Sequence, residues 1–250
     1  MRDGTIQSRI LPAAEITSAE MRSMYEIFAR HYDCVSPVQF QQDLSEKDCV
    51  LVLRNGEQAI CGFSTQKVFR VSVGGKSVRA VFSGDTIVDQ AYWGEQELGR
   101  CWCRYVSSVY WEQPDLPLYW FLISKGYRTY LYLPLFFEVF YPNYQAATPD
   151  FEQRVLDALG IAKFPHHYQS QNGLIEFPSS QGQLKPHLAE IPPRRMRDPH
   201  VQFFLQRNPA YANGHELACV AEISPANMKL FAGRILARAQ AVQAAIPGGD

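Results

Sequence analysis

Alternating and helical patterns of apolar residues divide the first half of the chain into short strands and amphipathic helices. Residues 5–11 alternate and predict a first strand. Thr17 and Glu20 have the spacing of a capping box, which predicts a helix that runs to about Tyr32. Ser36-Pro37 predicts the start of a second helix, because proline is favoured at the first helical position. The core-facing residues of the first helix are expected to be Met21, Met24, Tyr25 and Phe28.

Three further strands, a helix and a buried strand follow. The strands CVLVLR, QAICGFSTQKVFRVSV and KSVRAVFSGDTIV are separated by Asn55-Gly56 and Gly74-Gly75, dipeptides that favour tight hairpin turns. LYWFLIS, at 118–124, predicts a buried strand, and the helical crossover before it makes it parallel to the strand that precedes the helix. The apolar face of that helix consists of Leu98, Cys101, Trp102, Tyr105 and Val109.

The second half of the chain is less regular. PDFEQRVLDALG predicts one helix. HVQFFLQRNPAYANGHELACVAEIS predicts two strands around a turn at Asn213-Gly214. A closing helix is predicted from Pro225, with Ser224 as its N-cap. We therefore predict a core at 1–144, with a mixed, mainly antiparallel twisted sheet flanked by helices, and an extension at 145–250 that packs on it.

Composition narrows the possible partners. Hydrophobic residues make up 46% of the 250 residues, which is ample for a core. The net charge of −1 gives no electrostatic reason to expect nucleic acid or an anionic membrane. The start of the chain lacks a secretory pattern and prolines interrupt the longest apolar run, so we expect a cytoplasmic protein without a membrane span. The cysteines and histidines lack metal-ligand spacing, so we expect no metal site and reduced, mostly buried thiols.

The stretch from Thr86 to Ser107 combines a strand end, a glycine turn and a helix start. A helix begins with unpaired backbone N–H groups and a partial positive charge, so a turn that leads into a helix is a candidate phosphate-binding site. The turn itself reads VDQAYWGEQELGR, from Val88 to Arg100. A separate basic cluster, Arg194-Arg195-Met196-Arg197, follows two prolines and is expected to lie in a solvated loop; the alternative is that it binds an acidic substrate.

The order of elements and this turn resemble the GNAT N-acyltransferase superfamily over about residues 5–144. Members carry a motif of the type V-x-x-x-Y-R-G-x-G-x-G-x-x-L. In this chain Trp93 takes the place of the usual Arg or Gln, and one residue is inserted between Gly94 and Gly99. The resemblance implies a GNAT-like α/β fold that transfers an acyl group to an amine, with acyl-CoA or an acyl carrier protein as the donor.

The resemblance also implies where the donor binds. Backbone groups of Ile87 and Val88 would hydrogen-bond the pantetheine arm. The phosphates would face the turn and the first helical residues, namely Gly94, Gln96, Leu98, Gly99 and Arg100. In the alternative interpretation, Gly94 only closes a turn and Arg100 is a solvated helix charge.

Acyl transfer to an amine needs a group that accepts the amine proton and a group that protonates the leaving thiolate. Asp85 is the candidate base or amine-orienting carboxylate, because a carboxylate in an apolar strand is costly without a partner. Pairing with an Arg or capping of a loop are the alternatives. The resemblance implies a tyrosine after the fifth predicted strand as the acid; of Tyr127, Tyr130 and Tyr132 we choose Tyr130, although packing is the commoner role of a tyrosine. His31 is a second candidate base, although a histidine at a helix end more often bonds the last-turn carbonyls. Alternation predicts that one strand face holds Val81, Ser83, Asp85 and Ile87.

An aromatic stretch predicts the length of the donor's acyl chain. From Leu116 to Tyr144, eleven of 29 residues are Phe, Tyr or Trp, which suits an apolar channel for a medium or long acyl chain. The acceptor is then a primary amine of a small molecule or peptide, and the extension at 145–250 is a candidate region for its recognition. The alternative function is a non-catalytic GNAT-like module that binds a ligand or docks a partner, which Trp93 and the altered glycine spacing favour.

Overall fold

An eight-stranded sheet runs through the molecule, and helices cover both of its faces. The structure, a computed structural model, describes residues 6–178 and 181–244. Its strands in that range are β1 (Gln7–Pro12), β2 (Tyr32–Asp33), β3 (Cys49–Arg54), β4 (Ile60–Val73), β5 (Lys76–Val88), β6 (Leu118–Ser124), β7 (Tyr168–Gln169), β8 (Leu174–Ile175), β9 (Gln183–Leu184) and β10 (Glu216–Glu222). Its helices are α1 (Ser18–His31), α2 (Pro37–Ser45), α3 (Glu97–Glu112), α4 (Tyr127–Tyr130), α5 (Tyr132–Phe136), α6 (Asp150–Lys163), α7 (Pro186–Ala189), α8 (Pro199–Arg207) and α9 (Leu230–Ala244).

The strand order of the large sheet is β1-β3-β4-β5-β6-β10-β8-β7, and β2 pairs with β9 in a separate ribbon. Among the described pairs only β5 and β6 run parallel, on either side of the α3 crossover. The predicted mixed, mainly antiparallel sheet with flanking helices is therefore confirmed. Both predicted hairpins form, although five residues, 55–59, join β3 to β4 and Gln58 has a positive φ of 63°.

The first two helices begin where their capping residues predict. The Thr17 side chain accepts the backbone N–H of Glu20 at 3.2 Å, and the Glu20 carboxylate accepts the Thr17 N–H at 2.9 Å. The Ser36 hydroxyl accepts the N–H of Gln39 at 3.1 Å and starts α2 in the same way. These contacts satisfy N–H groups that the first helical turn leaves unpaired.

The sheet buries an apolar core on each face. Val81 of β5 packs on the side of α3, whereas its neighbour Phe82 packs on the side of α6. On the α3 side, aromatic rings from the predicted aromatic stretch fill the interior. The Trp102 ring centroid lies 4.3 Å from that of Trp120 and 5.2 Å from that of Phe136. Much of the aromatic stretch is thus packed core.

The prediction of two strands in residues 200–224 is wrong for the first of them. Residues of that segment form α8, which begins at Pro199 with Asp198 as N-cap. Val201 and Phe204 are three positions apart and fully buried, so they lie on one helical face. Only β10 is a strand, and it pairs with β6 and β8.

The closing helix begins later than predicted, at Leu230. Ser224 starts a turn instead, and Met228 makes an isolated bridge with Phe137. The side-chain amide of Asn227 donates to the carbonyls of Val139 and Glu222, each at 2.8 Å. These bonds hold residues 225–227 in a turn, which a regular helix from Pro225 would replace.

The predicted division at residue 144 remains a prediction. The second part supplies β10, which pairs with β6 from Leu217↔Ser124 to Glu222↔Tyr119. A backbone bridge also joins Tyr141 to Val220. The two parts therefore share one sheet.

Arg79 ties the buried start of β5 to the end of α3. Only 2% of Arg79 is exposed, and its guanidinium donates to the carbonyls of Val109 at 2.9 Å, Tyr110 at 3.3 Å and Gln113 at 2.6 Å. A cation at a helix C-terminus also interacts favourably with the helix dipole. The contact fixes α3 against the strand that leads to the glycine turn.

We expect Arg79→Met to lower the free energy of unfolding by about 3 kcal/mol, because it removes the buried donor to the Val109 carbonyl and the positive charge at the end of α3. Chemical denaturation measures the change. Arg70→Met is the matched control, since exposed Arg70 reaches the same helix end through the Gln113 side chain. Equal losses in the two variants would contradict the structural role of Arg79.

Candidate functional site

β5 carries a bulge where it parts from β6. The β4–β5 register shifts on either side of Thr65, so that Thr65 faces both Gly84 and Asp85. The parallel pairing with β6 ends at Ser83 and Leu122. Beyond that point β5 stays with β4, while β6 continues beside β10. The two strands separate, and no strand in the described parts of the chain covers this edge of β5.

The bulge changes which side chains share a face of β5. The predicted grouping of Asp85 with Val81 and Ser83 is wrong, because the extra residue shifts the alternation by one. Asp85 lies with Phe82 on the face away from α3. The face toward α3 holds Val81, Ser83, Thr86 and Val88.

A first cavity, of about 590 Å³, opens at the end of β5. It lies between the β5 end, the α4–α5 segment and residues from 184 to 195. Its lining includes apolar, polar and basic groups, among them His31, Val88, Trp93, Gly94, Arg128 and Leu135. A concave site with a few convergent polar groups is the usual form of a ligand site.

A second cavity, of about 810 Å³, lies on the other side of the bulge. Its charged lining residues are Asp43, Glu46, Lys47, Asp85, Lys125, Lys163 and Glu216. Its aromatic lining residues are Phe28, Tyr32, Phe40, Phe82, Phe164 and Phe177. The cavity therefore combines apolar walls with charges of both signs.

The two cavities meet where the strands part. Tyr32, Thr86 and Thr129 line both of them. A third, small apolar cavity of about 20 Å³ adjoins the same two threonines and ends against Trp120 and Phe136. That volume is room for about one or two water-sized groups.

Asp85 has no hydrogen bond or ion pair in the described parts of the chain, and it faces the second cavity. Burial raises the pKa of Asp85 to about 6, and the nearby charges of Lys47 and Lys125 oppose the shift. A carboxyl with a pKa near neutrality can both take up and release a proton. The predicted pairing of Asp85 with an Arg does not occur among the described residues.

Lys47 lies directly beside the bulge. Its ammonium donates to the Asp43 carbonyl at 2.7 Å, and a Cβ added to Gly84 would approach Lys47 Cε to 2.9 Å. Burial lowers the pKa of Lys47. Across the cavity, Lys125 Nζ lies 3.4 Å from a Glu216 carboxylate oxygen. These residues come from separate segments, so sequence spacing did not indicate them.

His31 is 8% exposed and lines the first cavity. Its Nδ1 lies 2.9 Å from the Ile27 carbonyl, which only accepts, so Nδ1 carries the hydrogen. Its buried Nε2 has no partner in the described part of the chain. His31 thus caps its helix, as one of the two interpretations predicts, and still offers a free acceptor.

Tyr130 does not reach any of the three cavities. It is fully buried, its hydroxyl donates to the Pro142 carbonyl at 2.8 Å, and burial raises its pKa. This placement does not fit the proton donor predicted from the sequence. Tyr32, which lines both large cavities, is better placed, and burial followed by the charges of Asp85 and Glu216 raises its pKa.

The residues predicted to bind the donor are only partly brought together. Ile87, Val88 and Gly94 line the first cavity, and Gly94 has a positive φ of 97°. Leu98 and Gly99 line the small cavity instead. Gln96 and Arg100 line none of these three cavities, and the Arg100 guanidinium is 3.3 Å from the Gln96 side-chain oxygen.

Trp93, the residue that departs from the family motif, bridges the first cavity. Its indole N–H donates to the Val88 carbonyl at 2.9 Å, at the uncovered edge of β5. The Arg128 guanidinium lies 4.6 Å from the Trp93 ring centroid and 4.8 Å from that of Tyr127. Trp93 therefore uses a backbone acceptor that an extended ligand would otherwise contact.

The structure contains no cluster of three or more metal-ligating side chains within residues 6–178 and 181–244. In the same described range, none of the helices has both the length and the apolar character needed to cross a membrane.

No protein-family model matches the sequence, and a search of curated proteins finds no match. Solved structures do resemble the chain. A probable N-acyltransferase from Enterococcus faecalis matches at 14% identity and a TM-score of 0.40, over 51% of this chain and 31% of that chain. A GNAT family N-acetyltransferase from Escherichia coli, in complex with CoA, matches at 16% identity and a TM-score of 0.37, over 54% of this chain and 68% of that chain.

A GCN5-related N-acetyltransferase from Kribbella flavida matches at 16% identity and a TM-score of 0.39, over 54% of this chain and 34% of that chain. This chain thus spans about a third of the length of the Enterococcus and Kribbella proteins.

The pKa of Asp85 predicts how its substitution depends on pH. Its folded pKa of about 6 lies above the value of 3.8 for an unperturbed Asp, so the folded state favours the protonated form. The contribution of this group to stability is full below the unfolded pKa and is lost as pH rises to the folded pKa. We expect the stability of the wild type, relative to Asp85→Asn, to fall between about pH 4 and pH 6 and then to level off.

Urea denaturation of both proteins from acid to neutral pH measures this difference, and the shared carboxylates cancel in the comparison. If the wild type instead becomes more stable relative to Asp85→Asn as pH rises over this range, the folded protein favours the charged form of Asp85.

Proposed function

We propose that the protein is an N-acyltransferase that moves an acyl group from the thioester of acyl-CoA, or of an acyl carrier protein, to a primary amine. The observation that carries the proposal is the meeting of the two large cavities at Thr86 and Thr129, where β5 and β6 part. Each of the two cavities can therefore admit one of the two substrates. Holding the two reactants in contact supplies much of the rate enhancement of such a transfer.

The first cavity suits the donor. The uncovered edge of β5, near Val88, can pair with the amides of an extended pantetheine arm as a further strand would. The thioester would then lie at Thr86, next to the second cavity. Ile87 and Gly94 contribute to the same wall.

The second cavity suits the amine. Asp43, Glu46, Asp85 and Glu216 face it together with three lysines, so carboxylates outnumber ammonium groups and an amine cation is attracted. Lys125 and Lys163 lie within ion-pair distance of Glu216 and Glu46, respectively. Asp85 is left to orient the incoming amine and to accept its proton.

The reaction then balances with these groups. The amine nitrogen attacks the thioester carbonyl carbon, the C–N bond forms and the C–S bond breaks. Asp85 takes one proton from the ammonium group, and Tyr32, which lines both large cavities, is the proposed donor to the leaving thiolate. The nitrogen releases a second proton as the C–N bond forms, and this proton restores the Tyr32 hydroxyl. His31, with its free Nε2, remains a second candidate base in the first cavity.

For the acyl group we propose a medium or long chain. The small cavity has room for a short acyl group only, since its volume is about 20 Å³. A longer chain has to lie on the apolar wall of the first cavity, which consists of Leu131, Leu135, Leu184 and Leu188. Leu135 is 60% exposed there, and a bound chain would cover it.

A non-catalytic module is the second candidate function. The specific observation in its favour is the hydrogen bond from Trp93 to Val88, which competes with a pantetheine arm. A thermal-shift series with CoA, acetyl-CoA and longer acyl-CoAs, followed by an assay for CoA release with primary amines, separates the two. A stabilising shift without turnover favours the module.

We expect Asp85→Asn to reduce kcat/KM for acyl transfer by about 10²–10⁴-fold, the usual size of a general-base contribution. In the wild type, kcat/KM should rise with pH through the Asp85 pKa of about 6, and this rise should vanish in the variant. Asp115→Asn, at an exposed position, is the control. Full activity in Asp85→Asn would remove Asp85 from the mechanism.

We expect Leu135→Ser to raise KM for octanoyl-CoA about tenfold and to leave KM for acetyl-CoA unchanged, because only the longer chain loses apolar contact. Steady-state kinetics with both donors tests this. Leu230→Ser is the matched control, since Leu230 is 73% exposed and lines none of the three cavities. If acetyl-CoA is the better donor and Leu135→Ser changes neither KM, the acyl group is short.

A further inference from the structure

Charges of opposite sign lie on different walls of the first cavity. Arg128, Arg194 and Arg195 line it from the segments after β6 and after α7. Glu95 lines it from the glycine turn, and Glu97 opens α3 directly behind. A phosphate is therefore attracted to the wall with the arginines and repelled from the wall with the glutamates.

The start of α3 is a poor anion site in this chain. Glu97 occupies the first helical turn, where its charge offsets the positive end of the helix dipole. Its carboxylate already accepts from Ser8 at 2.6 Å and from Arg104 at 2.9 Å. Arg100 is turned toward Gln96 and lies outside the cavity. A phosphate here would face Glu95 and Glu97, while the nearby Arg104 and Arg100 are already bonded to Glu97 and Gln96, respectively.

The arginines on the other wall are available. Arg194 is exposed and has no hydrogen bond or ion pair to any described residue, and the ion pair of Arg195 with Asp198 is long, at 4.0 Å. The loop that carries them is stiff, because it follows Pro192-Pro193 and the Arg195 N–H donates to the Pro192 carbonyl at 2.8 Å. Two guanidinium groups are thus presented to the cavity by a constrained turn.

Arg128 supplies a fixed third cation. Its guanidinium lies between the rings of Trp93 and Tyr127, and one of its nitrogens donates to the Leu188 carbonyl at 2.8 Å. Stacking and this hydrogen bond hold the planar group in place. It extends the positive wall toward the end of β5.

We propose that Arg194 and Arg195, together with Arg128, bind the phosphate groups of a phosphopantetheine-bearing donor, in place of the start of α3. The proposal rests on the proposed acyltransferase function and departs from the donor site that the family resemblance implies. The guanidinium fork matches phosphate oxygens and forms charge-assisted hydrogen bonds with them. The C-terminal part of the chain thus contributes to donor binding.

Calorimetric titration of the full chain tests the proposal with CoA, dephospho-CoA, 4′-phosphopantetheine and pantetheine. We expect the double variant R194A/R195A to weaken CoA about 10- to 100-fold, the effect of losing two charge-assisted contacts. Pantetheine, which has no phosphate, should bind the wild type and the double variant equally. Added salt should weaken CoA binding to the wild type more than to the double variant.

The double variant R9A/R22A is the matched control, since both arginines are exposed, lie away from the three cavities, and change the net charge equally. The family geometry makes the opposite forecast for Arg100→Ala. If Arg100→Ala weakens CoA and R194A/R195A does not, the phosphates bind at α3 and the proposal is overturned.

The titrations also separate this proposal from the proposed function. If the wild type binds CoA and transfers acyl groups but R194A/R195A binds CoA normally, only the arginine site fails. If the wild type binds none of the four ligands and shows no acyl transfer, both fail. A loss that is as large for 4′-phosphopantetheine as for CoA supports contact with the phosphate that a carrier protein also presents, whereas a loss confined to CoA supports contact with the nucleotide phosphates.

Discussion

The bulge in β5 is the constraint on which the site depends. One extra residue, opposite Thr65, turns Asp85 away from the α3 face and ends the regular alternation of the strand. At the same level the parallel pairing with β6 stops at Ser83. The backbone edge beyond it and the space on both sides then become accessible. A regular β5 paired along its whole length with β6 would have neither the cleft nor a carboxylate at its centre.

The two large cavities differ in the chemistry of their walls, and that difference follows from which segments reach them. α2, the bulge and the β6 end bring carboxylates and lysines to the second cavity, where burial holds the pKa of Asp85 near 6. The first cavity is more apolar, and its arginines come from the segment after β6 and from residues 192–195. Trp93 crosses it and ties the β5 edge to Arg128. Its departure from the family motif therefore changes the cavity itself.

Elements whose ends are marked by capping or turn residues were predictable from the sequence. Capping at Thr17 and Ser36 predicted the starts of α1 and α2, and the dipeptides Asn55-Gly56 and Gly74-Gly75 marked the hairpins. α8 was missed because its apolar run also suits a strand, and only packing against the core distinguishes them. Asp85 was found as a buried carboxylate, but its face depends on a bulge that alternation ignores. Lys47, Lys125 and Glu216 are distant in sequence, so only the folded chain brings them together.

The position of β10 has a consequence for how the chain reaches its folded state. β6 lies in the middle of the sheet, yet its partner on one side is made about a hundred residues later, with Leu122 opposite Cys219. During synthesis, the edge of β6 (LYWFLIS) that later pairs with β10 therefore stays unpaired until residues 125–215 have left the ribosome. Such an edge is a template for pairing with other chains, so the nascent protein is most prone to aggregation in that interval, before β10 closes the sheet.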